Sequence, residues 1–195
     1  MLRQAQDWFM NMKQTLSLIV PITFSCMAPP CAVAADATLA AKSERIGVYD
    51  SRVLAYAHFW SEAEQSDQNK IFAAAKEAKA KGDTNRLSEL KAVIKKRQEK
   101  NHLQVFSTAP VYDVLATIKD RVELVQKQAS VSRLISKWDE AGLKPFKSAE
   151  KVDVTNPLLG AFKLDEEQLK VVSDILKHDP LPLAKAKEML REGKL

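Results

Sequence analysis

The stretch from Phe72 to Lys100, FAAAKEAKAKGDTNRLSELKAVIKKRQEK, constrains the fold more than any other part of the chain. Alanine, lysine and glutamate dominate its first half, and these residues lose little conformational freedom in a helix. Gly82 supplies a stop, because glycine enters the left-handed conformation without steric cost, and Asp83 or Thr84 supplies the next N-cap. Leu87, Leu90 and Ile94 then recur at spacings of three and four and give the return arm one apolar seam. A connection this short predicts an antiparallel pair of helices meeting along a coiled-coil-like seam. Each arm near the tip spans ~12–20 residues, which corresponds to roughly 20–30 Å of helix.

Charge singles out the same region. Residues 70–104 carry ten basic and four acidic side chains, a net +6, while residues 35–69 carry three and six and residues 105–195 fifteen and fourteen. The candidate partner-binding basic face is Lys76, Lys79, Lys91, Lys95, Lys96, Arg97 and Lys100. Such a surface attracts acidic proteins or anionic lipid headgroups by long-range steering. The alternative is a solvated helix surface with no partner.

Residues 1–34 stand apart. Arg3 and Lys13 give a positive start, and Leu16 to Met27 (LSLIVPITFSCM) is an apolar run of signal-peptide length, too short to span a bilayer. Ala32-Val33-Ala34 is a small-residue cleavage site, so a signal peptide cut after Ala34 and export to a periplasm are expected. Cleavage removes Cys26 and Cys31, which are the two cysteines of the chain. The mature protein then has no disulfide framework, no thiol nucleophile and no cysteine metal site. Export also argues against nucleic acid as a partner.

Ala35 to Ser43 reads as a flexible mature N-terminus. Arg45 to Tyr49 alternates as a strand with Ile46 and Val48 on one side. Asp50 or Ser51 can cap the helix that follows, in which Val53, Ala57 and Trp60 share a face. That helix is expected to continue through the polar Ser61–Lys70 into the first arm, so the whole hairpin occupies about residues 52–105. Ser107 or Thr108 caps a further helix with Pro110 in its first turn, and Val111, Leu115, Ile118, Val122, Val125 and Ala129 mark it as a core helix.

Val131 to Trp138 reads as a second strand, Asp139 to Gly142 as a turn, and Lys151 to Thr155 as a third strand whose Thr155 caps a short helix. The first two strands are separated only by helices, a crossover that permits parallel pairing. Asp165 with Gln168 forms a capping box for a helix ending near His178, and a last helix covers Leu183 to Glu192. The fold class is therefore α+β and mostly helical: a small β-sheet body over residues 35–162, a projecting helical hairpin, and a helical extension over residues 163–195. Five glycines in 195 residues argue against Gly-rich phosphate loops and many tight β-turns.

The residues suggest little chemistry. His58, His102 and His178 are not spaced for metal ligation. The pairs Asp139-Glu140 and Glu166-Glu167 suit a turn and a helix N-terminus. Asp50-Ser51-Arg52 sits where α/β enzymes place catalytic groups, just past a strand, and helix capping is the better explanation of it. A small hydrolase using Asp50, Arg52 and His58 requires those three to converge around a pocket. The expectation is no catalytic residue, no cofactor and no metal.

Residues ~44–162 resemble the Skp/OmpH family of periplasmic chaperones. The resemblance lies in the order of elements: a signal peptide, the strand Ile46-Gly-Val-Tyr49 leading into a helix, a basic hairpin, an amphipathic helix, the strand Val131–Trp138, and Val152-Asp-Val-Thr155 opening a short helix. It implies a homo-trimer whose arms hold unfolded outer-membrane proteins. The hairpin is shorter than that family's arms, and residues 163–195 have no counterpart in its pattern. The functional expectation is an exported, non-enzymatic protein that binds unfolded or envelope proteins. The alternative is a structural or assembly module of the cell envelope without client binding.

Overall fold

A computed structural model describes residues 44–195, which belong to one structural unit. The expected signal peptide, its cleavage site and the flexible segment Ala35–Ser43 lie outside the described residues. Within them the chain is mostly helical α+β, with nine α-helices and one three-stranded parallel sheet.

Strand β1 (Arg45–Tyr49) lies between β2 (Leu134–Ser136) and β3 (Glu150–Asp153), and both pairings are parallel. Gly47 faces Leu134 on one side and Val152 on the other. The expected one-sided alternation of Ile46 and Val48 is corrected here: Ile46, Gly47 and Tyr49 are buried and Val48 is half-buried, because a central parallel strand is covered on both faces. A Cβ on Gly47 would lie 2.5 Å from Leu134 Cδ2 and 3.1 Å from Val154 Cγ2, so glycine lets β2 and the end of β3 close over the strand. The paired part of β2 is shorter than the alternation over Val131–Trp138 predicts.

Helix α1 (Ser51–Phe59) follows β1 directly and is buried from Ser51 to Ala57. It packs against α3 (Thr84–Phe106), α7 (Thr155–Leu159) and α8 (Glu166–Leu176) and is the central helix of the body. Asp50 caps it as expected, accepting from the Arg52 amide at 3.1 Å.

The expected continuity into the first arm does not hold. α1 stops at Phe59, and Ser61 caps a new helix, α2 (Glu62–Ala80), by accepting from the Glu64 amide. The Gln65 side chain takes up the Phe59 carbonyl at 2.7 Å, so both new chain ends are satisfied locally. Residues Lys81–Asp83 then join α2 to α3, with Gly82 at φ +70° and Asp83 accepting from the Arg86 amide. The two helices pack on each other. Ala78 and Leu90 are buried, Leu87 and Ile94 are half-buried, and Arg97 reaches Glu64 at 3.5 Å.

The single helix expected from Pro110 to Ala129 is two helices, α4 (Tyr112–Thr117) and α5 (Lys119–Ala129), broken at Ile118. The Thr117 hydroxyl donates back to the Val114 carbonyl at 2.7 Å, which competes with continuation of the helix. Ser107 caps neither: its hydroxyl donates to the Leu103 carbonyl and accepts from the Ala109 amide, and Pro110 stays outside the helix. The expected apolar seam survives the break, with Val111 and Val125 buried and Leu115, Ile118, Val122 and Ala129 half-buried, and Val114, outside that seam, is buried too.

Asp139 caps a short helix, α6 (Glu140–Leu143), where a turn was expected, and a 3₁₀ turn follows over Lys144–Phe146. The capping box of Asp165 and Gln168 is present at the start of α8. The C-terminal residues fold back onto the body. α8 lies on α1, α9 (Leu183–Arg191) lies on α3, and Leu181 between them exchanges backbone hydrogen bonds with Phe106 and Thr108.

Candidate functional site

Parallel strands bring their C-terminal ends to one side of a sheet, and a helix N-terminus adjoins them here. Asp50 leaves β1, Lys137 and Trp138 leave β2, and Thr155 follows β3 by two residues. Asp50 is fully buried, as is almost all of Arg52. One Asp50 carboxylate oxygen accepts from the Arg52 amide, from Arg52 Nε at 3.1 Å and from the Trp138 indole at 3.0 Å. The other accepts from Arg52 Nη2 at 2.8 Å and from Lys137 Nζ at 2.9 Å. The Arg52 and Lys137 cations each lie 5.0 Å from the centre of the Trp138 ring. Arg52 Nη1 donates to the His178 carbonyl at 2.7 Å and ties the end of α8 to the cluster.

Burial alone pushes the Asp50 carboxyl up, but hydrogen bonds from Arg52, Trp138 and Lys137 and the Arg52 charge outweigh it and hold the group below the usual carboxylate value. A carboxylate offers about four lone-pair sites. Five donors converge on this one, so none is left for the proton of a substrate. The arrangement is a clamp that locks β1, β2, α1 and α8 together.

Thr155 corrects another expectation. Its hydroxyl does not cap α7 but accepts from the Asp50 amide at 3.0 Å, while its own amide donates to Asp153. No local pattern could reveal this bond, because the partners stand 105 positions apart. Lys137 and Trp138 were missed for the same reason: only the sheet register brings them to Asp50.

His58 does not join the cluster. It lies six residues beyond Arg52, ~9 Å further along α1, and packs edge-on against Phe162 at 6.4 Å. Burial pushes its pKa down, partly offset by Glu64 and Asp113. His102 sits edge-on to Phe106 at 6.2 Å, and His178 contributes its carbonyl rather than its exposed ring. Asp50, Arg52 and His58 therefore do not converge, as the hydrolase reading requires. Among the described residues no cluster of three or more ligating side chains could hold a metal ion.

The seven candidate cations divide. Arg97 pairs with Glu64, Lys100 with Asp113 at 2.5 Å, and Lys95 with Glu99 at 3.8 Å. Lys76, Lys79, Lys91 and Lys96 are exposed and have no ion-pair partner among the described residues. At about 100° of turn per residue, Lys91 and Lys95 form one stripe on α3 and Lys96 and Lys100 another, roughly 140° away. α2 and α3 therefore present cations around their surface rather than on a single face.

A cleft of ≈ 550 Å³ opens beside β2. It is lined by Pro110 and by Tyr112 at the start of α4, by Glu140 and Gly142 of α6, and by Phe146, Leu134 and Trp138. Tyr112 is 68% exposed although aromatic. Tyr49 also lines the cleft. Burial, with smaller contributions from Tyr112 and Asp139, pushes its hydroxyl up to about 12, so it stays neutral. Comparisons with protein-family models, curated proteins and solved structures return no match for this chain.

Proposed function

We propose that this is an exported, non-enzymatic protein that binds unfolded or envelope polypeptides, with the cations of α2 and α3 providing the initial attraction. The observation that carries the reading is the contrast between two sets of charges. Those at the strand ends satisfy one another, with Asp50 and Arg52 buried, whereas Lys76, Lys79, Lys91 and Lys96 stand in solvent without partners among the described residues. Unpaired surface cations steer acidic chains and leave them exchangeable, because an exposed pair is worth only about 0–1 kcal/mol. The order of elements shared with the Skp/OmpH chaperones supports the same reading and extends it to a periplasmic location and a homo-trimer.

The test is suppression of aggregation of an unfolded outer-membrane protein by the mature chain. Suppression is expected at low salt and should weaken as ionic strength rises, since the screening length falls from ~30 Å at 0.01 M to ~3 Å at 1 M. Absence of suppression at every salt concentration removes the client-binding role and leaves a structural envelope module.

A further inference from the structure

The two edges of the sheet are built differently. The β3 edge is polar, with Glu150, Lys151 and Asp153 exposed. Charged residues are a recognised way of keeping a sheet edge from pairing with another chain. The β2 edge has no such guard. Its ladder to β1 uses the Arg133 carbonyl, which accepts from the Gly47 amide, and the Lys137 amide, which donates to the Tyr49 carbonyl, both at 2.9 Å. Backbone groups alternate sides along a strand, so those of Leu134 and Ser136 face away from β1. The Ser136 carbonyl accepts from the Asp139 amide. The Leu134 amide and carbonyl and the Ser136 amide have no partner among the described residues.

Leu134 and Ser136, which carry these groups, are among the residues lining the cleft, and charged side chains of opposite sign stand at its two ends. Arg133 precedes β2 with its guanidinium 4.6 Å over the Phe146 ring and its Nε 4.0 Å from Glu44, an exposed pair that an incoming carboxylate can displace, and Asp139 and the exposed Glu140 lie past the strand's end. Apolar and aromatic walls stand between them. The separation from Arg133 to Lys137 is ~13 Å at strand rise.

We propose that the β2 edge and its cleft bind an extended polypeptide segment as an added strand. The occupant has apolar side chains in its middle, an acidic residue at the Arg133 end and a basic residue at the Asp139–Glu140 end. A main chain is the ligand whose donors and acceptors repeat as those of Leu134 and Ser136 do. The walls take alternate side chains, and the two charged ends set the register. This deepens the polypeptide-binding reading and rests on it: the hairpin cations attract, and the β2 edge holds one defined segment.

The test uses the mature protein and seven-residue peptides with a valine–tyrosine core, one running from lysine to glutamate and one from glutamate to lysine, measured by calorimetry. Binding of one charge order in preference to the other is expected. N-methylation of the peptide amides on the β2-facing side should weaken binding about tenfold or more, because each lost bond leaves a strand group unpaired. N-methylation on the opposite side should leave it unchanged. Leu134→Pro removes an amide that β1 does not use and should abolish binding. Tyr112→Ala, at an exposed position, should weaken binding and serves as a second variant if the proline variant misfolds. If neither peptide binds while aggregation is still suppressed, the edge proposal falls and the hairpin reading survives. Equal effects of both N-methylation patterns overturn strand addition. Concentration-dependent self-association through Leu134, without peptide binding, assigns the edge to a second copy and also overturns the proposal.

Discussion

Substituting Asp50→Asn tests the strand-end clamp with almost no change of shape. The wild-type carboxylate receives two side-chain hydrogen bonds from Arg52, whose own side chain is only 4% exposed. Asparagine keeps one oxygen for part of this set but removes the charge, leaving the guanidinium buried without a counter-charge, with only neutral acceptors, the amide oxygen and the His178 carbonyl. Lys137 is 30% exposed and can turn to solvent, so its lost contact adds little. Removing one member of a buried ion pair costs about 3–5 kcal/mol, mostly as the uncompensated charge that remains. That is a large share of the ~5–15 kcal/mol available to a domain.

In urea denaturation the midpoint should fall with an unchanged slope, since the area exposed on unfolding is the same. Melting should drop by roughly 6–20 °C, taking ~2–4 °C per kcal/mol for a chain of this size. Adding Arg52→Met should recover part of the loss, because it removes the stranded charge and keeps an unbranched apolar stem. A loss below about 1 kcal/mol, or no recovery in the double variant, would refute the clamp.

Other expectations follow from single positions. Gly47→Ala should cost about 1–3 kcal/mol through overpacking, measurable by the same denaturation, because its Cβ meets Leu134, Val154 and Val131. Ser130 closes α5 at φ 52°, so Ser130→Gly should raise stability by about 0.5–1 kcal/mol; a loss would show that the hydroxyl matters more than the backbone. Asp50 has a depressed folded pKa, so its stabilisation is complete above the unfolded value and is lost as pH falls through the folded one. His58 and His102 are likewise depressed by burial, so folding favours their neutral rings and protonation opposes folding on the acid side of the ordinary histidine value. Melting temperature should therefore decline first through the histidine range and again below the carboxylate range. In Asp50→Asn the second decline should shrink.

Much of the framework was legible because it is local. The Asp50 cap, the stop at Gly82, the Asp83 cap and the capping box of Asp165 each depend on residues within one turn of a helix. The break at Trp60–Ser61 is also local, yet it was misread: a serine that caps resembles a serine on a solvated helix face until the Phe59 carbonyl finds Gln65. The break at Ile118 was hidden because the apolar spacing runs straight through it. The strand-end cluster was half legible. Asp50 and Arg52 stand two residues apart, but Lys137, Trp138, Thr155 and His178 reach them only through the parallel register and the return of α8. The open β2 edge could not be read at all, because an edge is defined by strand order, and strand order is a property of the fold.

Amide hydrogen exchange of the chain from Ala35 onward, with and without an unfolded outer-membrane protein, tests polypeptide binding at the residue level. Slowed exchange is expected at Leu134 and Ser136, whose free amides would become paired, together with weaker, salt-sensitive protection along residues 76–100. Unchanged exchange in both regions, at a salt concentration where the client is held in solution, would contradict it.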